Sequence, residues 1–170
     1  MKKRVIHWFR NDLRLADNPA LHEASASDEV MPIYILTPNA MSELGQASKI
    51  WLHHSLDKLN KSTGYKIDFY TGSPKEILFE IIQLEKIQGI FWNKIFEPNN
   101  LENNNELITE MNELGVSCHS FNGSLLWEPS SILKKDETPY KFFTTYYRKG
   151  CLLSEPPREP LISPKRINWV

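Results

Sequence analysis

His7-Trp8-Phe9-Arg10-Asn11-Asp12-Leu13-Arg14-Leu15-Ala16-Asp17-Asn18-Pro19-Ala20-Leu21 joins a short apolar run to a helix through a polar turn that contains no glycine. Val5 to Phe9 reads as a strand, and Arg10, Asp12 and Arg14 line the turn. Asn18-Pro19 opens the helix, since asparagine caps a helix start and proline suits its first position. A strand feeding a polar turn and then a helix is where an α/β protein puts its first ligand loop.

Outward from this stretch the same rhythm repeats. Apolar runs Val30 to Leu36, Lys66 to Tyr70, Gly89 to Trp92 and Val116 to Phe121 alternate with helical patterns, which predicts a parallel sheet with helices on its faces. Helices are expected over Ala20 to Ala26 and over Ala47 to Asn60, the latter with Leu52, Leu56 and Leu59 on one face. Ser73-Pro74-Lys75-Glu76 reads as a capping box starting a helix that buries Ile77, Leu78, Ile81 and Ile82. A fourth helix, Leu101 to Leu114, presents Leu107, Ile108, Met111 and Leu114, and Gly115 ends it. The fold class is α/β: a five-stranded, doubly wound parallel sheet, Rossmann-like, in three α-β-α layers. Residues 1–126 form this domain. Residues 127–170, rich in proline, read as an irregular linker with a short aromatic helix near 144–150.

The chain has 170 residues with 20 basic and 21 acidic side chains, a net charge of −1, so no global field favours nucleic acid or a membrane surface. Cys118 and Cys151 lack metal-like spacing, and neither a signal peptide nor a spanning apolar run is present, which makes the cytoplasm the expected compartment. Adjacent His53 and His54 fall on different helix faces and suit no two-histidine metal site. Neither a nucleophile triad, a carboxylate pair nor a glycine-rich phosphate loop occurs, so chemistry built from this chain's side chains is not expected.

Ligands of open parallel sheets sit outside the carboxyl ends of the strands. Four loops qualify: Arg10 to Asp17, Thr37 to Ser48, Thr71 to Ser73, and Asn93 to Asn100. Gly45-Gln46-Ala47-Ser48 leads into a helix whose free N–H groups suit an anionic or carbonyl-rich ligand. Arg10, Asp12 and Arg14 either pair to brace the turn or face a ligand, and Arg10 lies nearest the strand end. Glu97, held extended by Pro98, points at a ligand N–H or at a neighbouring arginine. Trp51 is core or pocket wall. The aromatic run Tyr140, Phe142, Phe143, Tyr146 and Tyr147 is expected to pack against the sheet domain or a following domain.

The opening stretch closely resembles the N-terminal signature of the DNA photolyase/cryptochrome family, W-F-R-x-D-L-R-x-x-D-N-x-A-L. Three further segments are similar to family motifs: Gly45 to Leu56, with Lys49 where arginine is usual; Trp92-Asn93-Lys94-Ile95-Phe96-Glu97-Pro98, with Phe96 for tyrosine; and Tyr140 to Arg148, with Thr145 for proline and Thr144 expected to cap a helix. Lysine carries the arginine's charge without its fork geometry. The resemblance implies an N-terminal antenna domain that holds methenyltetrahydrofolate, 8-hydroxy-deazaflavin or FMN. The pocket walls it singles out are Phe9, Arg10, Asp12, Leu36, Thr37, Gly45, Ala47, Ser48, Trp51, Asn93, Phe96, Glu97, Asn99 and Asn100. It also implies an FAD-binding C-terminal domain, outside these 170 residues, through which a parent photolyase would meet damaged DNA and repair pyrimidine dimers. This chain alone is then expected to be a monomer inactive in repair. A cryptochrome-type photoreceptor fragment is the alternative within the resemblance. A stand-alone nucleotide-binding module of the universal-stress or electron-transfer-flavoprotein type is the alternative outside it.

Overall fold

The computed structural model describes residues 2–170, apart from the side chains of residues 98–104. Five strands, β1 (Arg4–Phe9), β2 (Glu29–Leu36), β3 (Asp68–Thr71), β4 (Gly89–Asn93) and β5 (Ser117–Phe121), form one sheet in the order β3-β2-β1-β4-β5. Every pairing is parallel. The chain winds outward from β1 to β3 and then returns to the centre at β4. The order therefore reverses between β1 and β4, and a crevice opens there at the strands' carboxyl ends.

Helices α1 (Pro19–Ala24), α2 (Pro38–Glu43), α3 (Gln46–Ser62), α4 (Pro74–Glu85) and α5 (Pro98–Glu113) connect the strands. Alternation along β1 splits its side chains between two cores. Ile6 and Trp8 join Ile33, Ile90 and Trp92 against Leu78, Ile81 and Ile82 of α4 and Leu107 and Met111 of α5. Val5 and Phe9 lie on the other side, with Ala20, Leu21 and Ala24 of α1, Leu59 of α3 and Ile67.

Several expectations need correction. Thr37-Pro38 starts a helix inside the second loop, with Ala40 N donating to Thr37 Oγ1 at 3.3 Å; its six residues bury nothing, so no periodicity marked it. Ser73 occupies the N-cap of α4, but its side chain accepts no capping bond, and the start is set by Pro74 instead. Leu114 is the half-exposed C-cap of α5 rather than part of its buried face, and Gly115 then turns the chain at φ 77°.

Two compact units are present, residues 1–123 with 161–170, and residues 124–160. The last ten residues thus belong to the sheet unit and not to a linker. Their strap is held by Val30 N donating to Asn168 O (2.9 Å) and Val170 N to Val30 O (3.0 Å), and Ile167 and Trp169 pack on the α1-side core. A single bridge, Val30 with Trp169, leaves no sequence period to read. In the second unit, a turn of helix α6 (Phe143–Thr145) follows Phe142 as N-cap, so Thr144 lies within the helix rather than capping it. A π-type turn over Tyr146–Gly150 continues the coil.

Candidate functional site

The first loop uses its side chains for two different purposes. Asp12 is buried and accepts from Arg10 N at 2.9 Å, from Asn18 Nδ2 at 3.1 Å and from Asn93 Nδ2. Asn93 Nδ2 also donates to Asn18 Oδ1 (2.7 Å), which caps α1 by accepting from Leu21 N at 3.0 Å. Asn93 Oδ1 accepts from Ala20 N at 3.3 Å. Asp12, Asn18 and Asn93 therefore form a satisfied buried network that fastens β4 to the loop after β1 and to the start of α1. Arg14 adds to it, donating to the carbonyls of Asp17 (2.9 Å) and Gly123. Gly123 is needed at this approach, since a Cβ there would lie 2.5 Å from Asn93 Cγ.

Arg10 does something else. Its guanidinium lies over the Trp8 ring, 4.7 Å from the centroid, on the α4-side face of the sheet. Burial lowers its pKa to about 10, against the opposing pull of Asp12 and Glu97, so it stays charged at neutral pH. Of the two readings of Glu97, its field on a neighbouring arginine is thus present. Glu97 itself is exposed, extended (φ −68°, ψ 134°) and at the N-cap of α5 without a side-chain cap bond. Arg10, Asp12 and Glu97 meet at the mouth of the β1/β4 crevice.

The other expected wall residues scatter around this mouth. Phe9 is fully buried core, and Asp12 and Asn93 are spent on the brace, so these three support the wall rather than face it. Leu36 and Phe96 are half-buried; Thr37 is half-buried and caps α2. Asn99 and Asn100 lie outside the described side chains. Gly45 is the N-cap of α3, which starts without a side-chain cap, and Ala47 and Ser48 are exposed in its first turn. Trp51 is not core: it is 75% exposed and, with Ile50, His54, Asp57 and Lys58, lines an open cavity of about 340 Å³ along α3. Sequence reading missed Trp8 as the seat of Arg10 and the partners of Trp51. The helical spacing 50, 51, 54, 57, 58 opposite Leu52, Leu56 and Leu59 was the available signal.

Among the described residues, no group of three His, Cys, Asp or Glu side chains could hold a metal, and no helix is long and apolar enough to cross a membrane. The DNA photolyase family model matches residues 5–164. The deoxyribodipyrimidine photo-lyase of Agrobacterium fabrum is 35% identical over 96% of this chain and 34% of its own length. Cryptochrome-2 of Arabidopsis thaliana is 32% identical over 89% of the chain and 26% of its own. The crystal structure of a bacterial class III photolyase from Agrobacterium tumefaciens superposes with a TM-score of 0.92 at 33% identity, covering all of this chain and 36% of that one. The chain spans about a quarter to a third of the length of these two curated relatives. Universal-stress and electron-transfer-flavoprotein modules give way to another affiliation: these 170 residues are a photolyase-type N-terminal α/β domain and belong to the DNA photolyase family.

Proposed function

We propose that this domain is an antenna module: it holds a light-harvesting chromophore for a flavin-bearing partner domain of a light-driven DNA photolyase that repairs pyrimidine dimers. The observation that carries the reading is Arg10, a cation seated on Trp8 at the sheet's reversal point, beside the uncapped start of α5. Residues present fit a planar, polar-edged chromophore. Arg10 offers a fixed donor fork toward carbonyl or carboxylate groups, Glu97 offers an acceptor for ring N–H groups, and Trp51 offers an exposed flat face beside the open N–H groups of α3. Methenyltetrahydrofolate, 8-hydroxy-deazaflavin or FMN, when bound, would supply absorption in the near ultraviolet or blue. The brace of Asp12, Asn18 and Asn93 contributes rigidity, which a site that must hold a ring at fixed distance and angle requires.

A photoreceptor parent of cryptochrome type is the second reading, favoured by the 32% identity to the plant cryptochrome. In either parent the chain works as a monomeric part in the cytoplasm, and DNA contact belongs to the flavin domain. Titration of the purified chain with the three chromophores tests the antenna role, with absorption and tryptophan quenching as readouts. One should bind, and Arg10→Ala should weaken it at least tenfold without changing the melting temperature. Saturable binding by none of the three would overturn the role.

A further inference from the structure

Residues 124–160 leave the α/β unit after Gly123 and rejoin it at Leu161. Both points are tied to one turn, the loop between β1 and α1. Arg14 Nη2 donates to the carbonyl of Gly123, and the same guanidinium reaches the Asp17 carbonyl through Nη2 at 2.9 Å and Nε at 3.1 Å. Asp17 holds the return with a reciprocal pair: its N–H donates to Leu161 O at 2.7 Å, and Leu161 N donates to its Oδ1 at 3.3 Å. One planar fork thus bridges the exit at Gly123 and the residue that grips Leu161. Asp17 does this from a left-handed backbone conformation (φ 49°), which persists in a residue other than glycine only where the surroundings hold it. The turn is fixed beneath these contacts. Arg14 N donates to Asp12 O at 2.6 Å, and Arg14 O accepts from Asn18 Nδ2 at 3.0 Å, so the turn is anchored in the buried Asp12–Asn18–Asn93 brace.

Pinned ends matter for a segment of this size. Closing a long loop costs entropy, and chains below about 40 residues seldom bury enough apolar surface to stay ordered on their own. Within residues 124–160, Ile132 and Cys151 are the buried apolar side chains. We propose that Arg14 and Asp17 form a two-jawed clamp that governs the opening of residues 124–160: when it lets go, the segment loses its order as one unit, while the sheet and the Arg10 crevice keep theirs. The strap's far end is held separately, by Val30 N donating to Asn168 O and Val170 N to Val30 O, so release at Leu161 stops short of Asn168. The brace lies between the clamp and Arg10, whose own N–H donates to Asp12 Oδ1 at 2.9 Å. Neither jaw involves a bound chromophore, and the clamp therefore stands or falls apart from the antenna role.

Amide hydrogen exchange of the 170-residue chain, followed by NMR with no chromophore added, tests the clamp. In the native chain the jaw amides of Asp17 and Leu161 should open together with those of Tyr146 and Ser154, which are bonded inside the segment to Phe142 O at 3.0 Å and Gly150 O at 3.1 Å. Amides of β1 and β4 should exchange more slowly than all four. Arg14→Gln, which removes the fork, should speed these four at least tenfold and leave Arg10, β1 and β4 within twofold of native. Asp17→Gly accepts the left-handed backbone but deletes the Oδ1 acceptor, and it should speed the same four at least threefold. Asp17→Asn keeps both the acceptor and the backbone preference, and it should stay within twofold of native. Unrelated rates for Leu161 and Tyr146 in the native chain would overturn the proposal without any variant. So would an Arg14→Gln effect that spreads equally to β1 and β4, or one that spares Tyr146 and Ser154. Equal acceleration by Asp17→Asn and Asp17→Gly would do the same, because the Oδ1 bond would then not be a jaw.

Discussion

His7 sits at the centre of the sheet with both ring nitrogens buried and without hydrogen-bond partners, edge-on to Phe9 at 4.3 Å. Its register neighbours, Pro32 and Phe91, offer no side-chain acceptor. Burial drives its pKa down to about 4, only partly opposed by Asp12. The neutral ring is therefore the folded form. Below pH 6.5 the unfolded chain binds a proton that the folded one refuses until about pH 4, so stability is full above 6.5 and falls as pH drops toward 4. At ~1.4 kcal/mol for each pKa unit, the loss amounts to about 3 kcal/mol. Urea unfolding at pH 7 and 4.5 should show His7→Leu losing about 2 kcal/mol less than the native chain, with carboxylate effects common to both. Equal losses would mean that His7 is solvated or bonded. Sequence placed His7 in a strand but could not show this, since burial without a partner depends on what the neighbouring strands set beside it.

Elements were legible where the physics is local. Buried parallel strands are continuous apolar runs, so the strand Val5 to Phe9 was placed to within a residue and Asn18-Pro19 marked the start of α1. Long-range brackets were not legible. The Asp12–Asn18–Asn93 brace joins residues up to 81 positions apart, and the sequence showed these three only as polar residues in or beside loops. Gly123→Ala, which drives a Cβ into Asn93, should cost about 1–3 kcal/mol in chemical unfolding. An unchanged midpoint would show that the brace yields freely. Likewise, Trp169→Ala strips an aromatic from the α1-side core and frees the strap, and about 1–3 kcal/mol of lost stability is expected. Thermal melts of native and variant chains that coincide would return residues 161–170 to the role of a linker.

For the whole molecule, the family and the fold were readable from four motif segments, whereas the site was readable only as a neighbourhood. Four loops were expected to converge, and the strand order, which only the structure shows, puts those after β1 and β4 at the reversal point and those after β2 and β3 further out along the sheet. Within the candidate wall, alternation along β1 sends Phe9 into the core and leaves Arg10, the expected ligand candidate, stacked on Trp8. The central claim is that this crevice holds an antenna chromophore through Arg10. Its most direct test is equilibrium titration of the native chain and Arg10→Ala with methenyltetrahydrofolate, 8-hydroxy-deazaflavin and FMN, followed by near-ultraviolet and blue absorption. Saturable one-to-one binding of one chromophore, at least tenfold weaker in the equally stable variant, is the predicted result. Binding of none, or binding indifferent to Arg10, would contradict it.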